Sequence, residues 1–167
     1  RADIRPERGP GAAVINYTTQ MCDAITSLMY LVAGGVLDRF PRVQLAVIES
    51  GASWLAGLAE RLDETYHGHH FFVQPKLSAP PSEIIRRQVN ISFQYDRGCI
   101  MTRALTGADK LMWGSDYPHH EGTFPHSREV RARLFDGIDI SEEEKAGILG
   151  GNGARLFRLA YAAPRPG

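Results

Sequence analysis

Apolar residues recur at steps of three and four along the start of the chain, at Val14, Tyr17, Met21, Ile25, Leu28, Val32 and Val36. That is the spacing of one face of a long amphipathic helix. Gly34-Gly35 and then Phe40-Pro41 end it, because proline lacks an amide and restricts the residue before it. Val43 to Glu49 (VQLAVIE) is a nearly unbroken apolar run, which predicts a strand in a parallel sheet covered on both faces. After Ser50-Gly51 helical period returns at Trp54, Leu55, Leu58, Leu62 and Tyr66, with Glu60, Arg61, Asp63 and Glu64 on the wet side.

The strand-then-helix unit repeats. A loop, HGHHFFVQPKLSAPP, leads to a short helix at Ser82 to Arg87 and a strand at Val89 to Phe93, after which Asp96 caps a helix reaching Ala104. Lys110 to Trp113 is a third strand, GSDYPHHEGTFPH is a loop dense in polar groups, and Ser127 to Phe135 is a helix. Ser141 with Glu144 three residues later forms a capping box for a helix reaching Leu149. Gly150-Gly151 stop that helix, and Asn152 caps a last one through Leu159. Three strands alternating with helices predict parallel βα units, hence a barrel or a doubly wound sheet.

Composition narrows the function. The 167 residues carry 19 Lys+Arg against 19 Asp+Glu and are 43% hydrophobic, which excludes disorder and lacks the basic excess a nucleic-acid partner requires. The longest apolar stretch, Leu28 to Leu37, contains two glycines and falls short of the roughly 18 to 20 residues that span a bilayer, so no membrane segment is expected. Cys22 and Cys99 stand without a CxxC or a His at finger spacing, which argues against a disulfide scaffold or structural zinc and for a reducing, cytoplasmic setting. The chain opens RADIRPERGPG. Residues 1–12 are expected to be an irregular lead-in continuing from a missing N-terminal half, 13–159 the domain and 160–167 a tail.

Polar groups crowd the C-terminal ends of the strands at Glu49, Gln94 to Asp96 and Asp116 to Glu121, where a barrel builds its active site. Other motifs are weaker. Neither GxGxxG nor GxxxxGK[ST] occurs, and Ser53 lacks the second glycine of a nucleophile elbow. His67-Gly68-His69 and His70 follow a helix and precede a loop, which makes them solvated loop histidines instead of a ligand pair. Cys99 opens a helix whose dipole could activate it, although no His-Asp partnership accompanies it. Trp54, Trp113 and the methionines at 21, 29, 101 and 112 fit core positions.

Three segments, Phe40 to Tyr66 (FPRVQLAVIESGASWLAGLAERLDETY), Leu111 to Ser127 (LMWGSDYPHHEGTFPHS) and Ile148 to Leu159 (ILGGNGARLFRL), together resemble the C-terminal half of the amidohydrolase-related family. These are the metal-dependent TIM barrels of aminocarboxymuconate-semialdehyde decarboxylase type. The resemblance implies an α/β fold, the C-terminal portion of a (β/α)8 barrel, with the strands here corresponding to strands six, seven and eight. It also implies one divalent metal, zinc or manganese, held by a His-x-His after strand one, a His after strand five and an Asp after strand eight.

Only the last ligand matches, as Asp116. A carboxylate there can bind a metal and take a proton from a water the metal has acidified, or it can cap its own loop in an Asx turn. Where many relatives carry a His after strand six, this chain has Glu49, which can serve as acid or base if buried, or bond backbone amides at the helix start. His119 can orient substrate or make a structural hydrogen bond; His120, Glu121 and His126 read as loop scaffold or rim.

The expected function is that of a metal-dependent hydrolase or non-oxidative decarboxylase acting on a small, carboxylated or aromatic substrate, with Asp116, Glu49 and His119 as its catalytic residues. A full barrel needs about 250 residues and eight strands, so most metal ligands are expected from a missing N-terminal half. Self-association, or association with that half, is expected through the open sheet edge. The alternative is a non-catalytic half-barrel that survives as an interaction module.

Overall fold

The computed structural model describes residues 6–160. Residues 1–5 of the expected lead-in and 161–167 of the expected tail lie outside the described residues. The chain runs through α1 (Ala12–Ala33), α2 (Val36–Arg39), β1 (Leu45–Val47), α3 (Trp54–Gly68), α4 (Pro81–Gln88), β2 (Val89–Phe93), α5 (Arg97–Met101) and α6 (Arg103–Thr106). A 3-10 turn (Ala108–Lys110) leads into β3 (Leu111–Trp113), followed by α7 (Ser127–Phe135), α8 (Glu142–Ala146), a π-type turn (Gly147–Gly151) and α9 (Asn152–Phe157). The strands form one parallel sheet in the order β1-β2-β3, with Val47 level with Ile91 and Ile91 level with Leu111.

Alternation along the strands divides the sheet into two faces. Val89, Ile91 and Phe93 of β2, with Leu45, Val47, Leu111 and Trp113 beside them, join the helices in one core that includes Leu28, Val32, Leu55, Ile84, Ile85, Ile100 and Ile148. The other face is more polar. Asn90 donates from Nδ2 to Gln44 Oε1 at 3.2 Å and to the Leu45 carbonyl at 3.3 Å, and Ser92 lies two residues further along the same strand.

Several expectations are corrected. The opening helix ends at Ala33, and Val36 belongs to the separate α2, because Gly35 adopts a left-handed φ of 73° between them. Only the second half of α1 is covered: Leu28 and Val32 are buried, whereas Val14 and Tyr17 on the same stripe are exposed. The strand expected over Val43 to Glu49 shrinks to Leu45–Val47, with Val43 and Ile48 about half exposed, because β1 is an edge paired on one side only. The helix after Asp96 breaks at Thr102 into α5 and α6, and Met101 is exposed instead of in the core. Gly150 does interrupt the helical path. Asn152, however, does not cap α9: it has helical φ/ψ, and its buried Nδ2 donates to the carbonyls of Ala108 and Leu111, each at 2.8 Å, tying α9 to the start of β3.

The capping box forms as expected, Ser141 Oγ accepting from the Glu144 amide while Glu144 accepts from the Ser141 amide. Cys22 and Cys99 are both free. Among the described residues no helix is long and apolar enough to cross a membrane.

Candidate metal centre

Each strand delivers a polar loop at its C-terminal end. Beyond β1 the backbone turns at Glu49, a non-glycine residue in the left-handed region with φ 63°, and again at Gly51 with φ 65°. The Glu49 amide, past the end of the ladder, donates to Ser92 Oγ at 3.1 Å. The loop then leads into α3, and the amides just ahead of that helix are taken by a side chain of the next loop: Asp96 Oδ2 accepts from Ala52 N at 2.8 Å and Ser53 N at 2.6 Å. Asp96 Oδ1 accepts from Cys99 N at 3.3 Å, so one carboxylate caps α5 and ties the entry of α3 to it.

Beyond β3 the chain turns at Asp116, also left-handed with φ 56°. The loop closes on itself through His119 N to Asp116 O at 2.9 Å, Gly122 N to His119 O at 3.1 Å and Thr123 N to Ser115 O at 2.8 Å. A Cβ on Gly122 would stand 2.8 Å from the carbonyl oxygens of Ser115 and Asp116, so only glycine lets the loop close this tightly.

These two turns bring together residues far apart in sequence. His119 Nδ1 is 3.0 Å from Asp116 Oδ1 and 3.8 Å from Glu49 Oε1. One potential ligand atom from each of Glu49, Asp116 and His119 lies within 4.8 Å of the others. They line a cleft of about 320 Å³ with Ile48, Ser92 and Gln94.

Asp116 is the inner member, its side chain 14% exposed, against 59% for Glu49 and 61% for His119. Its Oδ2 is buried and has no hydrogen-bond partner among the described residues. A buried carboxylate oxygen without a donor is costly, and a cation is the partner that relieves it best. Two carboxylates suit manganese or zinc, with the imidazole bonded to Asp116 Oδ1 beside them. The residues present therefore fit a divalent metal.

No backbone amide among the described residues bonds the Asp116 carboxylate, as an Asx turn would require; the amide of Tyr117 turns to Ser115 Oγ at 3.4 Å instead. Glu49 is exposed, so the burial on which an acid role would rest is missing, and its carboxylate faces His119 instead of helix amides. His119 does make a hydrogen bond, to Asp116.

Other candidates stay apart. His120 pairs with Glu121 at 2.8 Å on the surface, and His126 precedes α7 without capping it. His69 and His70 bond the carbonyls of Thr65 and His67 at the exposed end of α3. The Cys99 thiol is not activated: burial first, and then the Asp96 charge, push its pKa far above that of a free thiol, and this outweighs the helix dipole. A larger cleft of about 590 Å³ lies at the opposite end of the strands, where Arg103 already pairs with Glu144 and Arg155 with Asn152. Sequence reasoning missed Ser92, although the polar alternation of Asn90 and Ser92 in an otherwise apolar strand marked that face.

Solved structures share this fold. A 5-carboxyvanillate decarboxylase from Sphingomonas paucimobilis is 28% identical, covering 81% of this chain and 39% of its own, with a TM-score of 0.64. An amidohydrolase from Mycobacterium avium subsp. paratuberculosis aligns over 89% of this chain and 36% of its own at 23% identity, with a TM-score of 0.72. A dihydroxybenzoic acid decarboxylase from a Polaromonas species, solved with bound manganese and the inhibitor 2-nitroresorcinol, aligns over 95% of this chain and 49% of its own at 18% identity and a TM-score of 0.62. The chain thus spans less than half the length of each. No curated protein sequence matches it. The parallel α/β unit is part of a TIM barrel of amidohydrolase type and, with the family model described as Amidohydrolase matching residues 18–159, the chain belongs to the amidohydrolase family.

Proposed function

We propose that this chain is the C-terminal, metal-holding part of an enzyme that decarboxylates a small hydroxylated aromatic acid without an oxidant. The observation that carries the reading is the buried, unpartnered Oδ2 of Asp116, on a carboxylate whose other oxygen bonds His119 and which clusters with Glu49. The decarboxylases among the similar structures support the substrate class. Asp116, through Oδ2, and Glu49 hold one divalent cation, manganese or zinc, and further protein ligands come from a segment docked on the open edge of β1. When bound, the cation supplies a Lewis-acid anchor for substrate oxygens.

The remaining chemistry belongs to the side chains. Asp116 Oδ1 accepts from His119 Nδ1, which orients the imidazole and leaves Nε2 free to carry a proton. In the reaction the bond from ring carbon to carboxylate breaks, carbon dioxide leaves, and the electron pair left on the ring carbon takes the proton from Nε2. Bulk water returns that proton through the exposed side of the imidazole. A hydrolytic reaction would use the same carboxylates, with Asp116 accepting a proton from the attacking water.

The test is Asp116→Asn. Wild-type chain is expected to deplete the free Mn²⁺ signal in electron paramagnetic resonance, and the variant to bind more than about 100-fold more weakly, since a charged ligand is lost. Its melting temperature without metal stays level or rises, because the unpaired buried charge has gone. Equal Mn²⁺ affinity in the two proteins would sink the assignment. Release of carbon dioxide from dihydroxybenzoates, compared with cleavage of aryl esters and amides, separates decarboxylation from hydrolysis.

A second reading follows from one feature: β1 is an unpaired edge, flanked by exposed Phe40, Val43 and Ile48. On this reading the chain is a non-catalytic half-barrel that associates with itself or a partner through that edge. Analytical ultracentrifugation showing a stable oligomer that takes up no metal favours it.

A further inference from the structure

We propose that Ser92 is a positioning residue for Glu49: by accepting the Glu49 amide, its hydroxyl oxygen holds the strand-end carboxylate in the left-handed conformation that aims it at Asp116 and His119. The inference rests on the reading of those three residues as a metal centre.

The β1–β2 ladder pairs Leu45, Ala46 and Val47 with Val89, Asn90 and Ile91. One step further on, Ile48 is level with Ser92, and there the backbone leaves the ladder. A strand continuing straight would hand its next amide to a main-chain carbonyl of β2. Glu49 instead adopts φ 63°, and its amide lies 3.1 Å from Ser92 Oγ.

The left-handed region disfavours any residue with a Cβ, and glutamate has no short side-chain oxygen to bond its own backbone there, as asparagine or aspartate has. The conformation therefore needs an outside partner, and Ser92 is the one present. The penalty for a left-handed residue and the net worth of one hydrogen bond are of the same order, so removal of the hydroxyl lets Glu49 relax toward an extended backbone. At 59% exposure no packing would hold the carboxylate within 3.8 Å of His119. Ser92 sits on the polar face of β2 and lines the same cleft, which places it under the turn it fixes.

The experiment uses the full chain with two readouts, amide hydrogen exchange at Glu49 by NMR and Mn²⁺ affinity by electron paramagnetic resonance. Ser92→Ala is expected to speed exchange at Glu49 and weaken Mn²⁺ binding, each about five- to tenfold, while Ala46 and Ile91 exchange as before. Ser92→Thr, which keeps the hydroxyl and suits a strand, restores both. In a Glu49→Gln background Ser92→Ala leaves Mn²⁺ affinity where Glu49→Gln alone put it, because Ser92 acts through that carboxylate.

Unchanged exchange at Glu49 in Ser92→Ala overturns the proposal, as does a loss of Mn²⁺ affinity that persists undiminished beside Glu49→Gln. Mn²⁺ binding indifferent to both Asp116→Asn and Glu49→Gln overturns the metal centre instead, and exchange at Glu49 alone then decides whether Ser92 fixes the turn.

Discussion

Replacing Asp96 by alanine should loosen two helices and the site between them. Its carboxylate accepts three backbone amides: Ala52 and Ser53 on Oδ2, at 2.8 and 2.6 Å, and Cys99 on Oδ1 at 3.3 Å. Loss of the α5 N-cap costs about 1 kcal/mol, and loss of the two bonds at the entry of α3 adds about as much again. Ala52 and Cys99 are 2% and 1% exposed, so water does not readily replace the lost acceptor for their amides. A donor left buried and unpaired adds about 1–3 kcal/mol. The sum for Asp96→Ala is about 3–5 kcal/mol, a large share of the stability of an ordinary domain. Asp96→Asn keeps one acceptor oxygen but turns an NH2 group toward the amides on the other side, and should cost about 2 kcal/mol.

Urea unfolding followed by circular dichroism measures both variants, with stability read from the midpoint at constant slope. The two substitutions should also differ in reach. The Glu49 turn is separated from Ala52 by Ser50 and Gly51 alone, so alanine at 96 should weaken Mn²⁺ binding as well as folding, and asparagine less so. If Asp96→Ala unfolds within about 0.5 kcal/mol of wild type, the shared carboxylate is not an anchor and the reasoning fails.

Two further outcomes are expected. Asn152→Ala leaves the Ala108 and Leu111 carbonyls without their 2.8 Å donors and should cost about 2–4 kcal/mol in urea unfolding, with Asn152→Asp no better because it sets a carboxylate against them. Glu144 is held below the ordinary carboxylate range, first by the Ser141 amide and then by Arg103; a group with a lowered folded pKa stabilises above its unfolded pKa and loses that contribution as pH falls through the folded one. Glu144→Gln should therefore lower the melting temperature at neutral pH, with the gap closing as acidification passes below the ordinary carboxylate range; a gap of constant size would contradict the assignment.

What could be read from the sequence divides along a physical line. Elements stabilised by their own pattern were legible to the residue: β2 at Val89–Phe93, α7 at Ser127–Phe135, and the Ser141/Glu144 box. Elements whose neighbours decide them were not. The stripe from Val14 to Val32 is periodic throughout, yet only its second half meets the core, because periodicity reports which face is apolar and not what covers it. Asn152 read as a cap because asparagine after glycine favours one; long-range bonds to residues more than forty positions earlier override that local preference. At the site, the carboxylates were legible as residue types at strand ends. Their convergence was not, since it depends on two left-handed backbones that nothing in glutamate or aspartate announces.

Those two turns also explain why the site need not be the best arrangement for stability. Among the described residues only Glu49, Asp116 and Arg158 are non-glycine residues with positive φ, and Arg158 merely ends a helix. Both others stand just beyond the C-terminal ends of β1 and β3, each locked from outside: Glu49 by the Ser92 hydroxyl, Asp116 by a loop that only glycine at 122 lets close. Strain held at two such points, one of them bearing an unsatisfied carboxylate oxygen, is a combination that folding alone does not favour. Glycine at either turn would relieve the strain, and asparagine at 116 would remove the charge. On the proposed reading each change would also take away a ligand atom or its aim, and the strained arrangement then makes physical sense as one preorganised for a cation that the unfolded chain cannot hold in this geometry.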